Sequence, residues 1–199
     1  MDVRFAGEME DQQEALEFLI VAFVVAIFLM FLVLLTQLNS IFQGLLVLSA
    51  IVFSFAGVLL GLLIRQEPFS IVMSGIGIMA LAGIVVNNNI VLIDAYNEHR
   101  RNGLGPTEAA VRAGTERLRP VLLTAITTIV GLLPMVFGMT VDFLTRDLFF
   151  GAPSGQFWMQ LATAIVGGLA VSTFITVLLT PALLAWDGNR RQGKLERAA

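Results

Sequence analysis

At 199 residues, with 57% hydrophobic and only 14% charged residues and a formal net charge of -3, the chain carries more apolar surface than an ordinary water-soluble domain can bury, so it is read as a membrane protein. The low charge excludes intrinsic disorder, the absence of cysteine excludes a disulfide scaffold, and the acidic balance excludes a nucleic-acid partner. Fifteen Phe against one Tyr and two Trp fit aromatic side chains that face lipid.

The first seventeen residues hold six acids and one Arg, which is not the basic start of a cleavable signal. Val3-Arg4-Phe5 alternates like the end of a strand, so residues 1–16 are expected to be the end of a water-soluble domain and a linker. Between Glu17 and Arg65 lie 47 uncharged residues, about twice what one crossing needs. The polar cluster Thr36-Gln37-Leu38-Asn39-Ser40 divides them into helices at about 17–36 and 42–64. A third helix is expected at 69–97. Residues 98–117, broken at Gly103-Leu104-Gly105-Pro106, read as an amphipathic connector along the membrane surface, with Leu104, Ala109, Ala110 and Val111 on its apolar side. His99 is expected as a solvated residue of that loop. A fourth helix follows at 118–138 and, after the turn cluster Gly151-Ala152-Pro153-Ser154-Gly155, a fifth at 157–186. Residues 187–199 form a tail. Pro134 and Pro181 should bend or end their helices. The apolar runs lack the period-two alternation of a membrane barrel, leaving an all-α bundle of five transmembrane helices across 17–186.

Five crossings place Arg100, Arg101, Arg112, Arg117, Arg119, Arg190, Arg191, Lys194 and Arg197 on one side, and Arg4, Arg65 and Arg146 on the other. The excess of positive charge predicts a cytoplasmic C-terminus and an N-terminus across the membrane.

Asn87-Asn88-Asn89 interrupts the third apolar run, and three amides there must be hydrogen-bonded or meet water. Successive helical residues are about 100° apart, so the trio spans a wide arc. Asn87 lies about 10 Å inside Asp94, and Thr124, Thr127 and Thr128 of the fourth helix lie at similar depth. Two readings remain open: bonds between helices, or a path for protons or ions lined by Asn87, Asn88 and Thr124. No titratable side chain falls in the uncharged runs, so a proton carrier would need carboxylates from another segment. Gly57 and Gly61 form a Gly-x-x-x-Gly pair, and Gly83 belongs to a small-residue cluster in the third helix; all three are expected at close helix contacts. One histidine, no cysteine and no phosphate-binding loop leave no support for an enzyme, a cofactor or a metal site.

The order Gly83-Ile84-Val85-Val86-Asn87-Asn88-Asn89-Ile90-Val91-Leu92-Ile93-Asp94, then Arg117-Leu118-Arg119-Pro120-Val121-Leu122-Leu123-Thr124-Ala125, then Gly131-Leu132-Leu133-Pro134, resembles the C-terminal membrane portion of resistance-nodulation-division (RND) efflux permeases. Phe5-Ala6-Gly7-Glu8, Gly167 through Ser172, and Thr180-Pro181-Ala182-Leu183 extend the likeness over nearly the whole chain. The resemblance implies the last five helices of a twelve-helix permease, preceded at 1–16 by the end of its periplasmic porter domain. It implies a homotrimer in the bacterial inner membrane that exports amphiphilic compounds or drugs by proton antiport, with a periplasmic adaptor and an outer-membrane channel. The fragment is not expected to transport without its N-terminal half. In the multidrug branch, the resemblance implies, two aspartates on the fourth of the permease's twelve helices titrate against a lysine on the tenth helix and a threonine on the eleventh. The threonine matches Thr124, the asparagine beside the lysine matches Asn88, and the lysine position is Asn87, a departure that removes the ion pair. Arg117 matches a basic residue at the cytoplasmic mouth of the relay. The alternatives are a stand-alone membrane scaffold or subunit and a Sec-type protein-export auxiliary, which usually has six helices and an acid near the Asn cluster.

Overall fold

The computed structural model describes residues 3–141, 148–150 and 155–198. Five long helices account for most of them: α1 (Val3–Leu38), α2 (Ile41–Arg65), α3 (Ile71–Arg101), α4 (Pro106–Val136) and α5 (Gly155–Ala198). All five contain a stretch long and apolar enough to cross a bilayer. A short antiparallel pair, β1 (Met139–Val141) and β2 (Leu148–Phe150), follows α4, with Met139 opposite Phe150 and Val141 opposite Leu148. Helical periodicity gives no sign of it; β-branched and aromatic side chains in those triplets favour the extended form.

The turns obey local chemistry. Asn39 takes a positive φ of 48°, which Asn tolerates better than most side chains. Ser40 then caps α2 by accepting the Gln43 N–H at 3.4 Å. At the other end of α2, Gln66 adopts a left-handed conformation and its N–H bonds Leu63 O, while Glu67 N–H reaches back to Leu62 O. Arg65 braces the neighbouring helix end: its Nη2 donates to Val136 O at 2.8 Å, one of the carbonyls α4 leaves unpaired, and its guanidinium lies 5.7 Å from the Phe137 ring centre.

The helices alternate in direction, so the α1–α2 turn, the α3–α4 turn and the end of α5 share one basic end. There the Gln43 and Asn97 side chains exchange two hydrogen bonds, at 2.7 and 2.9 Å, joining α2 to α3. Helix α5 lies at the centre and packs against α2, α3 and α4, whereas among the described residues α1 packs mainly on α2 and α3 and leaves Phe18, Val21, Val24 and Phe28 exposed. Such a surface fits hydrocarbon rather than water.

The α2–α5 contact explains two of the three glycines. A Cβ added at Gly57 would stand 2.7 Å from Gly167 O and 2.7 Å from Val171 Cβ, and one at Gly61 would stand 2.9 Å from Gly167 Cα. Gly167 and Gly168 answer from α5, so the two backbones approach without side chains between them. Gly83 departs from expectation. It is exposed, and a Cβ there meets nothing within 4 Å, because it lies on the face of α3 turned away from α5.

Several boundaries also move. Residues 98–117 are not a surface connector: α3 runs on to Arg101, a four-residue turn follows, and α4 begins at Pro106, which suits a first helical position. Ala109 and Ala110, with Ala113, are buried in the bundle, whereas Val111, expected on the same apolar side, is exposed. His99 is therefore helical, with its side chain 15% exposed and Nε2 3.0 Å from Glu116 of α4. Residues 3–16 are the first turns of α1 rather than a strand end and linker, in keeping with the helix-forming run Glu8 to Glu17. The expected tail is helical through Ala198. Pro120, Pro134 and Pro181 all lie inside helices, α5 continuing for seventeen residues beyond Pro181. Residues 151–154 of the expected turn cluster lie outside the described residues, and Gly155 opens α5.

Candidate functional site

Helix α3 divides the Asn trio by face. Ile76, Ala80, Gly83, Asn87 and Asp94 are exposed and follow one another at helical spacings, whereas Val85, Val86, Asn88, Asn89, Leu92 and Ile93 are buried. Asn89 points at α5 and is fully buried. Its Oδ1 accepts from the Thr180 hydroxyl at 2.8 Å, and its Nδ2 donates to Thr176 Oγ1 at 3.3 Å and to Val85 O at 3.2 Å. Thr176 and Thr180 are four residues apart on α5 and so present both hydroxyls to one partner. Asn89 is thus the bond between helices. In the sequence Asn89 has no role apart from its cluster, although the spacing of Thr176 and Thr180 in α5 is a signal for it.

Asn87 and Asn88 are different. Asn88 is 8% exposed, Asn87 is open on the outer face of α3, and neither amide has a side-chain hydrogen bond among the described residues. Thr124 is exposed on α4, the helix packed beside α3, and its hydroxyl donates only to its own helix, to Val121 O at 3.0 Å. Thr127 and Thr128 bond Leu123 O and Thr124 O in the same way. By helix rise Asn87 lies about 21 Å, and Thr124 about 27 Å, from the turn that joins their helices, so the two polar positions sit at comparable depth. No direct hydrogen bond links them. Arg117 stands near the basic end, half-buried, with Nε enclosed and without a partner among the described residues.

An exposed amide on a membrane helix is costly against lipid and acceptable against protein or water. An amide and a hydroxyl can orient or relay a proton but cannot carry one as a titrating group. The described residues include no group of three or more His, Cys, Asp or Glu placed to hold a metal ion.

The chain is similar to known proteins over nearly its whole length. Residues 1–186 match the family described as AcrB/AcrD/AcrF. The chain is 30% identical over 197 residues to the nickel-cobalt-cadmium resistance protein NccA of Alcaligenes xylosoxydans xylosoxydans, covering 99% of this chain and 17% of that protein. It is 34% identical over 180 residues to the cobalt-zinc-cadmium resistance protein CzcA of Cupriavidus metallidurans (90% of this chain, 16% of that protein), and 33% identical over 178 residues to the multidrug resistance protein MdtC of Klebsiella pneumoniae (89% and 16%). A crystal structure of a heavy metal efflux pump superposes with a TM-score of 0.71 at 32% identity, covering 89% of this chain and 16% of that one. The chain spans about one sixth of the length of these relatives.

Proposed function

Since the chain belongs to the AcrB/AcrD/AcrF family of RND permeases, which are secondary transporters, we propose that it contributes the amide and hydroxyl side of a proton relay in an efflux permease. One observation carries the reading: Asn87 is an exposed amide at membrane depth, without a side-chain partner among the described residues. Against lipid that amide would cost free energy with no return, so a further segment is called for to cover it, and a segment bearing carboxylates would supply the titrating group that α1 to α5 do not place there. Asn88 and Thr124 then orient the carboxylate or its water, and Arg117 lies towards the proton's cytoplasmic exit. With Asn87 where the multidrug branch has lysine, the carboxylates have no cation from this helix, and their charge is balanced by protons alone or by another group.

The excess of Arg and Lys at one end orients the bundle with that end in the cytoplasm and Val3 on the periplasmic side, in the inner membrane. The partners of the reading are the N-terminal half of the permease, two further copies in a trimer, a periplasmic adaptor and an outer-membrane channel. Amphiphilic compounds or drugs are the proposed cargo. Divalent metal cations are the second reading, favoured by the names of NccA and CzcA.

The test uses the complete native polypeptide in everted vesicles. Asn87→Ala and Thr124→Ala should each reduce proton-linked transport while the assembly stays intact; full transport by both variants would remove the relay. Susceptibility of a deletion strain to cationic dyes and detergents, set against nickel, cobalt and zinc, separates the two cargoes.

A further inference from the structure

The basic end holds a feature with no part in proton transfer. A cleft of about 400 Å³ is lined by Asn39, Ser40, Gln43, Asn97 and three arginines, Arg100, Arg101 and Arg191, drawn from the α1–α2 turn and the ends of α3 and α5. It shares Asn39, Ser40 and Arg191 with a second cleft, of about 820 Å³, whose other lining residues are the apolar Leu35, Ile41, Phe42 and Leu45 of α1 and α2. An open cationic cleft thus adjoins an apolar groove along two membrane helices.

We propose that this pair of clefts holds one anionic phospholipid, its phosphate among the arginines and an acyl chain along Leu35, Ile41, Phe42 and Leu45. Charge complementarity selects the headgroup. Arg101 has no ion pair among the described residues, Arg100 spends one nitrogen on Leu104 O, and Arg191 is paired through Nε with Asp187 at 2.8 Å, leaving guanidinium donors on all three for phosphate oxygens. The N-terminus of α2 adds its positive dipole end and the N–H groups of Ile41 and Phe42, which have no intrahelical acceptor. The Gln43–Asn97 pair holds α2 and α3 together beneath the cleft. The adjoining apolar groove distinguishes a lipid from a free phosphate, which would need the first cleft alone. The placement requires only that the bundle cross a bilayer, and it stands or falls separately from the proton relay.

The experiment is native mass spectrometry of the complete polypeptide in detergent, titrated with phosphatidylglycerol, phosphatidylcholine or inorganic phosphate. Phosphatidylglycerol should be retained over phosphatidylcholine, and each Arg→Gln change should weaken retention roughly five-fold, the effect of one cationic side chain at an anionic headgroup. Leu45→Glu should weaken it through the acyl groove with the arginines intact. Arg101→Gln, on an exposed side chain, remains the deciding variant if the changes at Arg100 and Arg191 disturb the fold. Equal retention of the two lipids, unchanged retention in Arg101→Gln, or displacement of phosphatidylglycerol by millimolar inorganic phosphate would each overturn the assignment.

Discussion

Alanine placed at Gly57 and at Gly83 is the same chemical change with opposite expected signs. At Gly57 the new methyl would stand 2.7 Å from Gly167 O, 2.7 Å from Val171 Cβ and 2.9 Å from Gly168 Cα. Two of those atoms are backbone and cannot rotate aside, so α2 and α5 must separate, and overpacking of this kind costs about 1–3 kcal/mol. Because α5 also packs on α3 and α4, the displacement has nowhere to dissipate without loosening those contacts too. At Gly83 a Cβ meets nothing within 4 Å, and alanine there gains about 1 kcal/mol of helix propensity. The two variants of the 199-residue chain should therefore differ by roughly 3 kcal/mol in SDS-induced unfolding in mixed micelles, followed by far-UV circular dichroism. Equal stabilities would refute the close α2–α5 approach. In the complete polypeptide the Gly83 variant should lose its advantage if a further helix covers that face of α3, and retention of the gain would count against the covering segment.

Asn89→Leu removes two hydrogen bonds to α5, each worth about 0.6–2 kcal/mol in a membrane, so it should destabilise the bundle by roughly 1–4 kcal/mol, whereas Asn87→Leu in the same unfolding assay should be neutral or mildly stabilising. Arg65→Ala leaves Val136 O and the Phe137 ring without their cation and should cost about 1–2 kcal/mol, with the loss visible as faster amide exchange in the last turn of α4. Thr124→Ser should keep proton-linked transport in the complete polypeptide, because the hydroxyl remains, whereas Thr124→Val should lose it; equal rates for the two would show that the hydroxyl is not used.

Much of this molecule was legible along one dimension. Uncharged runs count crossings because a bilayer has a fixed thickness, and the excess of arginine at one end predicts an orientation, so five helices and their alternation follow from residue spacing alone. Motif order in the segments around Asn87, Arg117 and Pro134 pointed to the RND family, to which the comparisons assign the chain. Helix ends were less legible. Charged residues such as Asp94 and Arg119 end a hydrophobic run without ending a helix, so α3 and α4 extend well past it and the supposed connector becomes part of two buried interfaces.

Facing was decided only by tertiary structure. Three consecutive asparagines are equivalent in composition, and neither Gly57 nor Gly83 says which side of its helix will meet a neighbour. The position of α5 at the centre of the bundle separates them: its Thr176 and Thr180 take Asn89, its Gly167 takes Gly57 and Gly61, and the opposite face of α3, with Gly83 and Asn87, is left outward. Hydrophobic periodicity assigns the inward face of a helix when the outside is water. Inside a membrane both faces are apolar, so that signal fades and packing geometry alone makes the choice.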